Sequence, residues 1–171
     1  SALVGDLVAL TRDDHLQRQP ERLDLSEVVE AALARAARRG PNITFHTSLE
    51  PVPILGDAST LERAITNLLD NAVKFSPSDG EIWVELTSAG VLTIIDSGPG
   101  VADEDLPHIF DRFYRSDRAR NTPGTGLGLA IVTHTVEAHG GSVRAGNQPG
   151  AGAKFTMRLP VLTIPESPLS P

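Results

Sequence analysis

Apolar residues recur along the chain with two periods, and each change of period marks an element boundary. Leu3, Leu7 and Leu10 fall at helical spacing with Val4 and Val8 beside them, which predicts an amphipathic helix over residues 1–16. "QRQPER" at 17–22 is polar, carries a proline and reads as a linker. Ser26 is placed to cap a helix running to about Arg38, with Glu27 in its first turn and Gly40-Pro41 as its stop. Two short extended runs follow, around 43–48 and 52–55. A further helix starts near Asp57 or Ser59 and ends before Ser76-Pro77. "EIWVEL" (81–86) and "VLTIID" (91–96) flank Ser-Ala-Gly and read as an antiparallel strand pair. A stretch rich in Gly, Pro, Asp and Arg occupies 98–124; its 27 residues are long for a connection, and loops of that length are usually functional. A helix from about Thr125 to Ala138 then leads into two strands, in "GGSVRAG" and "GAKFTMRLP". The order, βα-β-β-α-β-β-(loop)-α-β-β, predicts an α/β sandwich of two layers, a sheet with helices packed on one face. The main domain covers 20–160, after a leading segment at 1–19 and before a proline-bearing tail at 161–171.

Within the helix after Asp57, the polar positions are as informative as the apolar ones. At about 100° per residue, Leu61, Ala64, Ile65, Leu68, Leu69, Ala72 and Val73 fill one arc, the core face. Asn67, Asn71 and Lys74 run at i, i+4, i+7 along one edge of it. Asn costs roughly half a kcal/mol relative to Ala in a helix interior, so two in one stripe call for a reason. Two readings stay open: a solvated polar boundary, or amide oxygens that ligate Mg²⁺ beside an ammonium that meets phosphate.

Composition narrows the class. The 171 residues are 40% apolar and 22% charged, enough for one domain with a substantial core. A net charge of −7 argues against nucleic acid as a partner. With no cysteine, disulfide frameworks and thiolate metal sites are excluded. No apolar run reaches the roughly 20 residues of a membrane span. The chain begins at Ser1 and its single methionine is Met157, so it reads as a piece of a longer protein.

Three further stretches carry chemistry. Asp96 closes a strand and opens "DSGPG"; an acceptor-only carboxylate followed by close-approach glycines suits an exocyclic amine, though Asp-x-Gly is also a common turn. "GTGLGL" (124–129) opens a helix, whose free N–H groups favour anions. It has neither the Gly-Lys-Ser/Thr of a Walker A loop nor dinucleotide spacing, and helix capping accounts for one glycine but not three in five residues. "IFDRFYRSDRAR" (109–120) places four arginines in the long loop. Arginines there can fold over a triphosphate, whereas Arg118 and Arg120 read as solvated charges. Phe110 and Phe113 read as packing anchors of the loop.

In this order, the motifs resemble those of the catalytic and ATP-binding domain of sensor histidine kinases, in the GHKL ATPase superfamily. "NLLDNAVKFS" looks like the N box, "DSGPG" the G1 box, "IFDRFYR" the F box and "GTGLGLAI" the G2 box. The resemblance covers roughly residues 20–160, and residues 1–16 resemble the end of the second helix of the family's dimerisation domain. It implies a mixed, mostly antiparallel sheet and a long ATP lid over 101–123. By position it implies that Asn67 and Asn71 hold Mg²⁺ and phosphates, that Lys74 contacts phosphate, and that Asp96 binds the adenine amino group. Gly98 and Gly100 would admit the base, and Gly126 and Gly128 would face the phosphates. Phe75, Val101, Gly124, Thr125, Leu127 and Leu129 would complete the nucleotide surface. Arg115, with Arg112 second, would meet the γ-phosphate.

The resemblance further implies transfer from ATP to a histidine on a dimerisation domain, and onward to a response regulator. None of His15, His46, His108, His134 or His139 is followed by the acidic residue and Arg or Pro of the family's acceptor box, so the acceptor is expected outside this chain. Asn67 stands where hydrolysing relatives carry a glutamate; an amide cannot act as general base, and slow hydrolysis is expected. The chain is expected to be a monomer from a homodimeric parent, cytoplasmic, with that parent an inner-membrane sensor. A stand-alone serine kinase of the anti-sigma-factor type is the alternative, and a degenerate docking module a third reading.

Overall fold

A computed structural model of the chain describes residues 19–114 and 128–163. Among the described residues seven strands and three helices follow in the order β1 (Glu21–Asp24), α1 (Leu25–Arg39), β2 (Thr44–Leu49), β3 (Pro53–Gly56), α2 (Ala58–Phe75), β4 (Glu81–Thr87), β5 (Val91–Ile95), α3 (Gly128–Ala138), β6 (Ser142–Asn147) and β7 (Ala153–Arg158). Five strands form one sheet in the order β2-β4-β5-β7-β6, in which only β2 and β4 run parallel. Strands β1 and β3 pair separately as an antiparallel ribbon.

Alternation decides which face of the sheet is covered. Along β4, Ile82, Val84 and Leu86 are buried while Glu81, Trp83 and Glu85 are exposed; along β7, Phe155 and Met157 are buried. These inward residues meet Val29 and Ala32 of α1, Leu61, Ile65, Leu68 and Leu69 of α2, and Val132 and Val136 of α3 in one core. Each large aliphatic side chain so buried contributes roughly 1.5–3 kcal/mol. The opposite face carries a stacked His46–Trp83 pair, its ring centroids 5.5 Å apart. A two-layer, mostly antiparallel sandwich with its helices on one face is the result.

Two local expectations are corrected. Asp24, not Ser26, caps α1: its Oδ1 accepts the Ser26 N–H at 3.0 Å and the Val52 N–H at 3.0 Å, and Ser26 lies buried inside the helix. The polar stretch read as a linker is also shorter, because Glu21 and Arg22 already pair with Gly56 and Leu55 in the ribbon. At α2 the cap is Asp57, within the expected range, with Oδ1 accepting the Ser59 and Thr60 N–H groups. The leading helix over 1–16, the tail beyond 163 and the onset of the last helix at 125–127 lie outside the described residues.

Candidate functional site

Asp96 follows β5 directly and is only 2% exposed. The main chain is paired to β7, since Asp96 N donates to Ala153 O at 3.0 Å and Gly152 N donates to Asp96 O at 2.8 Å. Its side-chain Oδ1 accepts two further N–H groups, from Gly98 at 3.0 Å and Ala153 at 2.9 Å. Among the described residues Oδ2 accepts nothing, which leaves one oriented acceptor at the end of a strand. Burial drives the carboxyl above its ordinary pKa, opposed by those two N–H groups, and the rise prevails.

The turn after Asp96 is built by close backbone approach. A Cβ on Gly98 would lie 2.4 Å from Phe75 O, and one on Gly152 would lie 2.1 Å from Asp96 Oδ1 and 2.6 Å from Gly98 N. Phe75, Gly98 and Gly152 therefore stack with no room for a methyl group. Ser76 and Ser97 tie the turn to its neighbours: Ser97 N donates to Ser76 Oγ at 3.2 Å, and Glu81 N donates to Ser97 Oγ at 2.9 Å. Beyond it Gly100 takes φ +81°, a conformation glycine adopts without steric cost. Val101 is then held through both main-chain groups by the Asn147 carboxamide, at 2.8 Å each.

The polar stripe of α2 lies beside α3. Asn67 Nδ2 donates to Gly128 O at 3.3 Å, so its carbonyl oxygen is the end left for a ligand. The Asn71 carboxamide makes no hydrogen bond among the described residues. Lys74 sits in the last turn with Nζ 5.4 Å from the Phe75 ring centroid. Among the described residues, a Cβ on Gly128 would meet nothing closer than Asn67 Cγ at 4.0 Å; Leu129, the next residue, packs against the core.

The segment after Val101 is anchored at Phe110, which meets Phe155 edge-on at 6.2 Å, and at Tyr114, whose hydroxyl donates to the Asp105 carboxylate. Phe113 is not an anchor: it is 56% exposed with φ 63°. Arg112 is exposed. Arg115, Gly124, Thr125, Gly126 and Leu127 lie outside the described residues.

Sequence reasoning passed over Gly152, Asn147 and the Ser76–Ser97 pair. "GNQPGAG" reads only as a turn between strands, because these residues gain their meaning from segments 50 or so positions away.

Fold and site define the class: a nucleotide-binding domain built on an open α/β sandwich. The chain belongs to the family of histidine kinase-, DNA gyrase B- and HSP90-like ATPases, whose model matches residues 56–163. It is 44% identical to the signal transduction histidine-protein kinase/phosphatase MprB of Mycolicibacterium smegmatis, over 97% of this chain and 35% of that protein. Among solved structures, a mycobacterial sensor histidine kinase MprB superimposes with a TM-score of 0.78 at 39% identity, covering 84% of this chain and all of the other. Full-length ShkA in complex with AMPPNP gives 0.75 at 29% identity, covering 95% and 36%. The chain spans about a third of the length of the curated relatives it matches.

Proposed function

We propose that the chain is the ATP-binding catalytic part of a sensor histidine kinase. It binds ATP, and the γ-phosphoryl passes to a histidine on a dimerisation domain outside this chain, then to an aspartate of a response regulator. In the first transfer the bond from the γ-phosphorus to the β,γ-bridging oxygen breaks, a P–N bond to the imidazole forms, and ADP leaves. One observation carries the reading: Asp96, a buried residue at a strand end, has one carboxylate oxygen that no described residue engages, where an adenine amino group can donate. The complex of the related ShkA with AMPPNP, an ATP analogue, supports it.

The residues present fit the cofactor set. Asn67 and Asn71 offer neutral amide oxygens, which suit a hard cation such as Mg²⁺, and their neighbour Lys74 offers positive charge to phosphate. Mg²⁺ would supply charge neutralisation on the triphosphate. Gly98, Gly100 and Val101, backed by Phe75 at the end of α2, would line the side of the base. By the resemblance, Gly124, Thr125, Gly126, Leu127, Gly128 and Leu129 would border the phosphates, and Arg115, with Arg112 second, would meet the γ-phosphate. The amide at position 67 cannot act as general base toward water, which favours transfer over hydrolysis. Residues 1–19 belong with the dimerisation domain, and the parent is a homodimeric membrane sensor with this part on the cytoplasmic side.

The test supplies the missing acceptor. Mixed with the dimerisation domain of its parent and γ-labelled ATP, the chain should transfer label to it in an acid-labile, base-stable form. Acid-stable label would instead support the serine-kinase alternative, and absence of ATP affinity would overturn the nucleotide reading.

A further inference from the structure

We infer that His139 is a positioning residue that sets α2 against α3 and thereby builds the triphosphate half of the site. The inference rests on the nucleotide reading above. His139 lies just beyond α3, and its Nδ1 is 2.7 Å from Thr135 O. A carbonyl only accepts, so Nδ1 carries the proton and Nε2 is bare. Nε2 accepts the Asp57 N–H at 3.1 Å. Asp57 is the cap of α2, and its own carboxylate is engaged with Ser59 and Thr60. The imidazole is thus the acceptor for a backbone donor at the mouth of the helix that carries Asn67, Asn71 and Lys74. Gly56 makes the approach possible: a Cβ there would lie 2.8 Å from His139 Cδ2 and 3.0 Å from Nε2.

Helices α2 and α3 are consequently tied at two levels. One tie joins Asp57 to His139 and the other joins Asn67 to Gly128. The ties are separated by 10 positions in α2 (67 − 57) and 11 in α3 (139 − 128), about 15 Å of helix in each. Two ties at matched levels oppose both sliding and rotation of one helix on the other; removing the His139 tie takes away the one at the Asp57 end and leaves the Asn67–Gly128 bond of 3.3 Å at the other. The base-binding half is built differently. Asp96 is fixed by Gly98, Gly152 and Ala153, and none of them lies on α3. Loss of His139 should therefore separate the two halves of nucleotide recognition.

Calorimetric titration of His139→Leu and His139→Gln with Mg·ATP and with adenosine tests this. The leucine variant fills the space without an acceptor and should lose tenfold or more in Mg·ATP affinity while holding adenosine within about twofold. The glutamine variant keeps an oxygen that reaches the Asp57 N–H and should recover most of the loss. Equal losses for the two ligands, or equal behaviour of the two variants, would overturn the inference. Absence of ATP binding by the unsubstituted protein would instead count against the nucleotide reading. Should the leucine variant not fold, ¹⁵N spectra of the unsubstituted protein decide: a proton on Nδ1 and a bare Nε2 are expected, and a proton on Nε2 overturns the tie.

Discussion

Burial pulls Asp96 in two directions. Its free oxygen must carry no proton to accept from an amine, yet burial raises the pKa of the carboxyl and outweighs the Gly98 and Ala153 N–H groups that favour the charge. The sign follows. Nucleotide affinity should fall as pH is lowered through the raised pKa of Asp96, beginning above the ordinary aspartate value of 3.8. Stability of the unliganded fold moves the other way, because a group with a raised folded pKa weakens the fold in its ionised form. Asp96→Asn should accordingly cost tenfold or more in adenosine affinity without lowering the melting temperature of the unliganded protein. Calorimetry and thermal melts check the two halves separately; unchanged affinity would remove the base-recognition role. Gly152→Ala tests the support beneath it. Its methyl would collide with Asp96 Oδ1, an overpacking that should cost about 1–3 kcal/mol in urea unfolding and weaken nucleotide binding as well. Asp96 was legible because a carboxylate at the end of an apolar run followed by glycines is a local pattern. Gly152 was not, because its tightness is created by a strand that packs against it only after folding.

Capping shows the same divide at the level of the element. Both Asp24 and Ser26 have cap chemistry, and local sequence does not rank them. The Val52 N–H does: it lies 28 positions away and completes the coordination of Asp24 Oδ1. Burial raises the Asp24 pKa, but the hydrogen bonds from Val52 and Ser26 outweigh it and hold the carboxyl below its usual range. Its contribution to stability is therefore full above the ordinary aspartate pKa and is lost as pH falls through the lowered folded value. Asp24→Ala should destabilise the protein by about 1–2 kcal/mol near neutral pH, and the difference from the parent should shrink in acid. Urea melts at two pH values would show it, and a pH-independent difference would discount the ionised cap. Periodicity located α2 and β4 well, since each is long and strongly amphipathic. The strand that opens the expected order was given no residues by periodicity, because the four polar-leaning residues of β1 have strand character only through their pairing with β3.

For the whole molecule, the two-layer class was legible from the order of elements, whereas the strand order was not. Nothing local tells β2 to lie parallel to β4 or β7 to separate β5 from β6; those neighbours are chosen by the shared core around Phe155 and Leu69. A ligand that binds only the folded state should stabilise this core as a unit, by about 2.7 kcal/mol at a hundredfold excess over its dissociation constant. Mg·ATP should therefore raise the melting temperature, and chelating the Mg²⁺ should remove part of the rise while leaving that given by adenosine. A chelator-insensitive shift would discount the metal role of Asn67 and Asn71. The ribbon of β1 and β3 has a mechanical corollary. The chain enters through Glu21–Asp24 against β3, and after β7 it returns to the same strand, where Leu162 N donates to Pro53 O at 2.8 Å. Tension applied at Glu21 and Leu162 should be borne first by this small corner, before the five-stranded sheet carries load.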